Sequence, residues 1–401
     1  MRITDVTCVE YVGHVDAPEP IFADRLRRPT DVYPELRAQG PQVFPEVTPG
    51  VAEVRSVFLH VDTDTGLRGS TAQLSPEQAF IVTSVLRPLL LGADPLATER
   101  LWDVLYRSAI HGRAGAGMTA LSAVDCALWD LRAQHLGVPA HVLLGGPTRD
   151  AVPAYASTLG DSLEPAAVAA RTRELVARGF RGLKWFPRWG PEDGAAGVDR
   201  VVELVGTVRD AAGPGVAIML DAWSGWDVPF TLDVALATRD LGVAWIEEPL
   251  LADQAEGYRA LRRRLPDGVR IAGGEHEYTR WGYRELLAAD VLDLYQPDPH
   301  WAGGISELTK VMALVSAAGA QLVPHGQSLQ CNAALTFAAS PALVPQMEYL
   351  TRLMPMYQHF LAEAIVPADG AIHAPTGPGL GMAVDPAKVV ATRVLGGGGA
   401  A

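Results

Sequence analysis

The stretch VAWIEE (residues 243–248) decides the fold, because it is an apolar, β-rich run that ends abruptly in two carboxylates. From about residue 152 onward, runs of this kind alternate with stretches of helical periodicity. The eight runs are VPAYAS (152–157), GLKWF (182–186), AIMLDA (217–222), VAWIEE (243–248), RIAGGE (270–275), VLDLYQPD (291–298), QLVPHG (321–326) and PQMEY (345–349). Alternating strands and helices indicate βαβ units and a parallel sheet. Eight regularly spaced runs favour a closed, TIM-like (β/α)₈ barrel over an open doubly wound sheet.

Residues 1–124 have a different pattern. Residues 3–11 and 55–61 alternate like antiparallel strands, a proline-rich segment joins them, and helical stretches follow. We therefore predict an α+β capping domain over residues 1–124 and the barrel over residues 125–350. The C-terminal segment, residues 351–401, is predicted to pack back on the capping domain.

The composition excludes several classes of protein. With 401 residues, 48% of them hydrophobic, the chain can bury a large core. A net charge of −13 leaves no basic footprint for nucleic acid. No apolar segment approaches the roughly 18 residues of a membrane span, and the N-terminus lacks the apolar core of a signal peptide. The cysteines Cys8, Cys126 and Cys331 are widely separated, which fits a reducing compartment, excludes a cysteine-rich metal site and makes the cytoplasm the expected location.

Three of the β-rich runs end in a carboxylate: the third in Asp221, the fourth in Glu247 and the fifth in Glu275. They are 26 (221 to 247) and 28 (247 to 275) residues apart, about one βα unit each. Neighbouring barrel strands present their C-terminal ends on one face, where barrel active sites lie. Three oxygen ligands there suit Mg²⁺, and without a cation they would repel one another. Glu247 and Glu248 point to opposite faces of the strand end, and we expect Glu247 to face the metal.

Acid–base residues end the remaining runs: Asp298 the sixth, His325 the seventh and Glu348 the eighth, while the second carries Lys184. An aspartate beside a histidine orients the imidazole and raises its basicity, so Asp298 and His325 are predicted to form a general-base pair. Glu348 or Lys184 can hydrogen-bond an oxyanion that develops on the substrate. Together these residues predict abstraction of a proton α to a carboxylate, with the enediolate stabilised by the metal.

Single residues in this series have plainer explanations. One strand-end acid by itself is more often a helix cap or a loop charge, so the metal site depends on the three acids together. His276, which adjoins Glu275, is equally compatible with supporting a metal ligand and with contacting the substrate. Most tryptophans are expected in the core, although those just past a strand end can line a pocket.

Several short motifs resemble the enolase superfamily, in its mandelate racemase group. LDAW, WIEEP, GGEH, QPD and VPHG stand where that family has its metal ligands and its His–Asp pair, and ALWDLRAQHLGVPAHVLLGG is similar to the family's cap-to-barrel transition. The resemblance covers nearly the whole chain. More narrowly, KWFPRWGPEDGAAG, GEHEYTRWGYRELL and LVPHGQS resemble L-rhamnonate dehydratases and related acid-sugar dehydratases.

The resemblance implies a role for each residue: Mg²⁺ on Asp221, Glu247 and Glu275, His325 as base and acid, Asp298 supporting it, and Glu348 holding the intermediate. It also implies a small carboxylate substrate, a sugar acid similar to L-rhamnonate, that loses water to give a 2-keto-3-deoxy acid. Enzymes of this kind are often homo-oligomers, including octamers. Racemases of the group usually present Lys-x-Lys on the second strand, whereas this chain has Lys184-Trp-Phe186. Dehydration by one base is therefore favoured over inversion at Cα.

Two stretches depart from the rhamnonate enzymes. After QPD the chain has Pro299, His300 and Trp301 where those enzymes usually have Val-Gly-Trp, and we predict that His300 and Trp301 contact the substrate. Near FADRLRRPTDVYP (residues 22–34) there is no histidine to match theirs; Arg25, Arg27 and Arg28 are candidates for gripping a hydroxylated or anionic end of the substrate, and a solvated loop fits the pattern as well. A racemase, epimerase or cycloisomerase acting through the same enediolate is the alternative reaction. A non-catalytic sugar-acid-binding barrel is the alternative class.

Overall fold

A computed structural model describes residues 1–396 of the chain, and its first region is built on an antiparallel sheet. The strands of this region are β1 (Ile3–Asp16), β2 (Glu46–Thr48), β3 (Val51–Thr63) and β4 (Arg68–Thr71). β3 lies between β1 and β2 and also pairs with β4. Both faces of β3 are covered, since Val57, Leu59 and Val61 pack in the capping core while Val54 and Phe58 pack in a second cluster that continues into the barrel.

Between residues 34 and 143, six α-helices complete this region: α1 (Pro34–Arg37), α2 (Pro76–Ile81), α3 (Arg87–Leu90), α4 (Thr98–Ser108), α5 (Ala116–Leu136) and α6 (Ala140–Leu143). α2 begins at a capping box, in which the Ser75 side chain accepts a hydrogen bond from the backbone of Gln78. α5 is buried over most of its length because it packs between β4 and a barrel helix, and it ends at a left-handed Gly137. None of the helices within residues 1–396 is long and apolar enough to cross a membrane.

Eight parallel strands follow, and each coincides with one of the runs identified in the sequence. Within residues 151–350 they are β5 (Ala151–Ser157), β6 (Gly182–Trp185), β7 (Ala217–Asp221), β8 (Val243–Glu247), β9 (Arg270–Gly273), β10 (Leu294–Tyr295), β11 (Gln321–Leu322) and β12 (Met347–Leu350). Each strand from β5 to β11 pairs with its neighbour in the chain, and β12 pairs with β5. The sheet therefore curls into a barrel, and the predicted barrel with a capping domain is confirmed.

Seven α-helices within residues 165–338 link these strands and surround the sheet: α7 (Pro165–Ala177), α8 (Gly194–Ala212), α9 (Val228–Ala237), α10 (Ala255–Arg264), α11 (Thr279–Ala289), α12 (Gly304–Ala317) and α13 (Leu329–Ala338). Leu175, Leu204 and Val208 on α7 and α8 belong to the same buried cluster as Leu183 and Ile218 on the strands. Because helices cover its outer face, a barrel strand reads as a continuous apolar run rather than an alternating one.

An apolar plug fills the barrel below its C-terminal mouth. Tyr155, Trp245 and Leu294, from three different strands, belong to one buried cluster with Val323, which directly follows β11. Because side chains alternate along a strand, Glu247 lies on the same side of β8 as Trp245. The plug therefore supports the polar residues at the strand ends from below.

The C-terminal segment contacts both parts of the chain. It contains α14 (Met354–Tyr357), β13 (Ala371–His373) and β14 (Ala391–Leu395). β13 pairs with β5 of the barrel, and β14 pairs with β1 of the capping sheet. α5 runs through the predicted boundary between residues 124 and 125, and residues 397–401 lie outside the described part of the chain. The domain boundaries stay a prediction.

His60 in β3 is expected to make the folded chain sensitive to acid. Its ring is buried, with Nδ1 2.8 Å from Ser70 Oγ and Nε2 3.0 Å from the Tyr11 hydroxyl. Burial, with a smaller contribution from Arg68, lowers the pKa of His60 to about 4. Between pH ~6.5 and ~4 the unfolded chain therefore binds a proton that the folded chain does not. The contribution of neutral His60 to stability is complete above this window and is lost as the pH falls through it.

We expect this linkage to lower the free energy of unfolding by about 3 kcal/mol across the window. His60→Gln keeps a hydrogen-bonding side chain but cannot titrate, so the variant loses that part of the pH dependence. Urea unfolding of both proteins near neutral pH and near pH ~4.5 measures the difference. An identical pH dependence in the variant would contradict the assignment to His60.

Candidate active site

Four carboxyl groups stand at the mouth of the barrel. Asp221 is the last residue of β7, Glu247 is the last residue of β8, Glu275 follows β9 by two residues, and Glu348 lies in β12. Between 0% and 4% of each residue's surface is exposed. Burying this many acids in one place needs positive charge nearby.

Lys184 of β6 supplies part of that charge. Its Nζ lies 2.9 Å from Asp221 Oδ2, 2.5 Å from Glu247 Oε1 and 2.8 Å from Glu348 Oε1. Although burial favours the neutral amine, these carboxylates hold the pKa of Lys184 well above its ordinary value. Lys184 is therefore charged, and its three partners are all acids that were predicted from the sequence to lie at the barrel mouth.

Two further donors hold Glu247, and reasoning from the sequence missed both. Gln296 Nε2 donates to Glu247 Oε2 at 2.7 Å, and the indole Nε1 of Trp245 lies 3.2 Å from the same oxygen. Their positions could have indicated both. Trp245 precedes Glu247 by two residues and Gln296 precedes Asp298 by two, so each shares a strand face with a predicted site residue. The Glu247 carboxylate is thus fixed from several sides.

Glu248 points away from Lys184 and its carboxylate partners, in agreement with the prediction that Glu247 and Glu248 face opposite sides of the strand end. Its backbone has a positive φ of 38°, and its Oε2 lies 2.7 Å from Nδ1 of His276. His276 Nδ1 is also 3.8 Å from Glu275 Oε1. Although burial opposes it, the bond to Glu248 raises the pKa of His276 to about 9. The structure therefore places His276 beside Glu275, while its contact with substrate stays a prediction.

The donor set at the mouth fits a divalent cation. Burial raises the pKa of Glu247 to about 8 and that of Glu275 to about 7, and it also raises the pKa of Asp221. One ammonium does not balance four buried carboxylates, so additional positive charge is needed to keep them ionised. Carboxylate oxygens are the ligands that Mg²⁺ prefers.

A second group of possible ligands adjoins the first. Among residues 1–396, the ligand atoms of Glu248, Glu275 and His276 lie within 4.8 Å of one another, whereas Asp221, Glu247 and Glu275 do not form so tight a group. Glu248 and His276 already satisfy each other, and an imidazole nitrogen suits Mg²⁺ less well than an oxygen does. The all-oxygen set therefore remains the better candidate for Mg²⁺.

His325 stands beside these carboxylates as part of the predicted pair. Its Nδ1 lies 2.7 Å from Asp298 Oδ2, and its Nε2 lies 3.7 Å from Glu275 Oε2. Trp301 stacks on the ring, with centroids 4.8 Å apart. Although burial opposes it, Glu275 and Asp298 raise the pKa of His325 to about 10. Because the charge of Glu275 contributes to this rise, a cation that neutralised that carboxylate would lower the pKa of His325.

Asp298 is itself held rigidly. Its Oδ1 accepts a 2.7 Å bond from the backbone N–H of His300 and a short bond from the Ser328 hydroxyl, leaving Oδ2 for His325. The residue is completely buried. This arrangement keeps the proton of His325 on Nδ1 and turns Nε2 towards Glu275, which is the tautomer that a base at Nε2 requires.

Glu348 lies between Lys184 and the backbone next to His325. Its Oε2 accepts a 2.8 Å bond from the backbone N–H of Gly326, next to His325. Although burial opposes them, Lys184 and His325 hold the pKa of Glu348 below its ordinary value. A Cβ at Gly326 would lie only 2.7 Å from Glu348 Cγ, so glycine is needed for this close approach.

The face of the site opposite His325 offers no second free base among the residues predicted for it. Lys184 is engaged by three carboxylates, and its Nζ lies 5.3 Å from the ring centre of Phe186. Phe186 stands two residues after Lys184, where the resemblance to racemases would call for a second lysine.

The residues predicted to contact the substrate differ in their surroundings. His276 and Trp301 stack with centroids 5.9 Å apart, so Trp301 lies between His276 and His325. His300 is buried against Thr71 of the capping region, with Nε2 2.9 Å from its hydroxyl. Arg25 forms an ion pair with Asp31 within its own loop.

Arg27 lies two residues after Arg25 and connects this loop to the barrel. Its Nε donates to the carbonyl of Gly225 at 2.9 Å, and its guanidinium pairs with Glu192. Gly225 follows β7 and Asp221 by four residues. The N-terminal loop therefore reaches the barrel mouth through Arg27.

Two family models match the chain. The mandelate racemase / muconate lactonizing enzyme N-terminal domain matches residues 34–145, and the enolase C-terminal domain-like model matches residues 167–388. An L-rhamnonate dehydratase of Saccharopolyspora erythraea is 33% identical over 399 residues, covering 96% of this chain and 97% of that relative.

Solved structures agree with these matches. The rhamnonate dehydratase from Gibberella zeae complexed with Mg is 27% identical, with a TM-score of 0.82 and coverage of 96% of this chain and 95% of that one. The 3,6-anhydro-D-galactonate cycloisomerase from Zobellia galactanivorans has a TM-score of 0.78 and covers 97% of this chain and 98% of its own, but at 24% identity it supports the fold alone. The chain belongs to the mandelate racemase and muconate lactonizing enzyme family of the enolase superfamily.

Proposed function

We propose that the protein is a Mg²⁺-dependent dehydratase that removes water from a sugar acid, with an aldonate similar to L-rhamnonate as substrate. The observation that carries this proposal is a base on one face only. His325 and Asp298 form a hydrogen-bonded pair beside the carboxylates, while Phe186 stands where a second base would be needed for inversion. The relatives named as rhamnonate dehydratases support the same reaction.

Asp221, Glu247 and Glu275 would hold the cation, since they are buried, oxygen-only and short of positive charge. When bound, Mg²⁺ supplies electrostatic stabilisation, because it neutralises the substrate carboxylate and the charge that grows on it as the Cα proton leaves.

The residues of the chain then divide the proton transfers. His325 takes the Cα proton on Nε2, while Asp298 holds Nδ1 and stabilises the imidazolium that forms. The same imidazolium returns a proton to the hydroxyl on the next carbon, which leaves as water. The resulting enol gains a proton at that carbon and becomes the 2-keto-3-deoxy acid. We assign the holding of the intermediate to Glu348 and its partner Lys184.

The pocket beside the base is aromatic. Trp301 stacks between His325 and His276, and the ring of Trp223 lies 6.4 Å from that of His276. Flat side chains of this kind pack against the C–H faces of a sugar chain and leave its hydroxyls to polar groups. We propose that Trp301 and His276 contact the substrate. His300 supports the site indirectly, because its backbone N–H holds Asp298. We propose that the loop carrying Arg25 and Arg27 covers the end of the substrate farthest from the carboxylate.

An Asp298→Asn variant is expected to lower kcat on the order of 10–100-fold with little change in KM, because the amide can no longer hold His325 in the required tautomer. The kinetics of the purified variant measure this directly. Asp290→Asn makes the same chemical change at an exposed site after α11 and should behave like the wild type. A kcat for Asp298→Asn within about twofold of the wild type would contradict the proposed pair.

The function is tested with a diastereomer-complete set of aldonates, with and without Mg²⁺, scored for 2-keto acid. Formation of a keto acid from at least one aldonate, dependent on Mg²⁺, is the expected result. Epimerised aldonate without keto acid would support the racemase or epimerase alternative. Binding of Mg²⁺ without turnover or Cα exchange on any acid would support a non-catalytic barrel.

We also propose that the protein forms a homo-oligomer, with the octamer of related dehydratases as one candidate size. We further propose that it is located in the cytoplasm. Light scattering of the purified protein tests the first. A mass equal to one chain, 42.7 kDa, would contradict it.

A further inference from the structure

Two cysteines and a histidine from distant parts of the chain meet behind the proposed active site. Cys126 lies on α5, His300 in the loop between β10 and α12, and Cys331 on α13. Their ligand atoms lie within 4.8 Å of one another, and all three residues are buried. From the wide spacing of the three cysteines in the sequence we predicted no cysteine-rich metal site. The fold nevertheless brings two of them, Cys126 and Cys331, together.

We propose that Cys126, His300 and Cys331 form a binding site for a thiophilic divalent cation such as Zn²⁺, which joins α5 and α13 to the loop after β10. Thiolate sulfur and imidazole nitrogen are the ligands that Zn²⁺ prefers. They differ in kind from the carboxylate oxygens at the barrel mouth, so the two sites select different metals.

The distances suit one shared metal ion. Nε2 of His300 lies 3.8 Å from Sγ of Cys331. A tetrahedral Zn²⁺ with Zn–S of ~2.3 Å and Zn–N of ~2.05 Å separates these two atoms by ~3.6 Å. Only a small movement is therefore needed. The Thr71 hydroxyl lies 2.9 Å from the same nitrogen, so this hydrogen bond gives way when the nitrogen binds the metal.

Space and charge also favour a cation here. A cavity of about 10 Å³, roughly the space of one small bound species, is lined by two of the three proposed ligands, His300 and Cys331, while Cys126 lies outside its lining. Binding releases one proton from each thiol, so that two thiolates and a neutral imidazole surround a doubly charged ion and the buried complex is neutral. The hydrogen bond from Cys126, supported by His300, lowers the pKa of Cys331 to about 6 although burial opposes it, so one thiol is readily ionised.

The test is a titration of the reduced full-length protein with Cd²⁺ in the presence of excess Mg²⁺, following the thiolate-to-cadmium charge-transfer absorption. Mg²⁺ occupies oxygen sites and does not produce this absorption. We expect a band that saturates at one equivalent, and at least a tenfold loss of affinity in Cys126→Ser, Cys331→Ser and His300→Gln. Cys8→Ser is the matched control, since Cys8 is also buried but lies in β1, and it should titrate like the wild type. No band in the wild type, or an undiminished band in the Cys126→Ser/Cys331→Ser double variant, would overturn the proposal.

A second measurement on the wild type decides the matter if the serine variants do not fold. Zn²⁺ at about a hundredfold excess over its Kd should raise the unfolding temperature by about 3 °C and slow alkylation of Cys126 and Cys331 at least tenfold more than it slows alkylation of Cys8. Equal alkylation rates of all three cysteines with and without Zn²⁺ would contradict the site. Neither readout depends on catalysis, so the proposed dehydratase can fail while this site stands.

Discussion

The His325→Asn variant is expected to lose turnover of the sugar acid by about 10²–10⁴-fold, which is the usual contribution of a positioned general base. Asparagine keeps a polar side chain that can still meet Asp298, but it cannot take the Cα proton. Because Asp221, Glu247 and Glu275 are untouched, affinity for Mg²⁺ should change little. Initial rates of keto-acid formation and a calorimetric Mg²⁺ titration measure the two effects separately.

His373→Asn is the control for this variant. His373 is exposed in β13 and pairs with Ala151 at the start of β5, at the end of that strand opposite the barrel mouth, so its replacement should leave both rate and metal affinity unchanged. Activity of His325→Asn within about tenfold of the wild type would show that another group takes the proton. The proposed role of His325 would then be wrong.

Removal of Mg²⁺ is expected to have the second large effect. Chelation should abolish dehydration, and Mg²⁺ at about 100 times its Kd should restore it and add about 2.7 kcal/mol to the free energy of unfolding. Glu275→Gln is the most informative ligand variant, because Glu275 makes no ion pair with Lys184 among residues 1–396, so its loss leaves the other three acids paired as before. This variant should lose most of the Mg²⁺-induced stabilisation.

Glu277→Gln makes the same change two residues further on and serves as its control. The Glu277 side chain accepts from the backbone of Tyr278 and does not reach the barrel-mouth carboxylates described above. It should bind Mg²⁺ like the wild type. A Glu275→Gln variant that is stabilised by Mg²⁺ as strongly as the wild type would move the cation away from Glu275 and favour a different set of ligands.

The sequence predicted the barrel and the residues at its mouth because both follow from short-range patterns. Apolar runs of strand length recur at a regular spacing, and their last residues must share one face in a parallel barrel. Asp221, Glu247 and Glu348 accordingly surround Lys184, and His325 meets Asp298, all within hydrogen-bonding distance.

Other features depend on contacts that no local pattern encodes. Gln296 and Trp245 read as ordinary strand residues, yet both donate to Glu247. Arg25 and Arg27 stand two residues apart, and only the course of the loop decides that Arg25 pairs with Asp31 while Arg27 reaches Gly225. Pairings of this kind depend on the packing of whole elements.

The meeting of Cys126 with Cys331 is the clearest case. The two residues are separated by more than half the chain, and α5 and α13 bring them to His300 only once the capping region has packed on the barrel. α5 itself runs through the predicted boundary at residues 124–125, because one continuous helix serves both parts of the chain. Sequence spacing is informative within one βα unit and is silent about such long-range contacts.

The central claim is that a single base on one face removes the Cα proton and that water is then lost. The most direct test incubates the protein and Mg²⁺ with the set of aldonates in deuterium oxide and follows each acid by NMR. The account predicts a 2-keto-3-deoxy acid that carries deuterium at C3, with no aldonate of inverted configuration at C2. Aldonate that is deuterated and inverted at C2, without any keto acid, would contradict it.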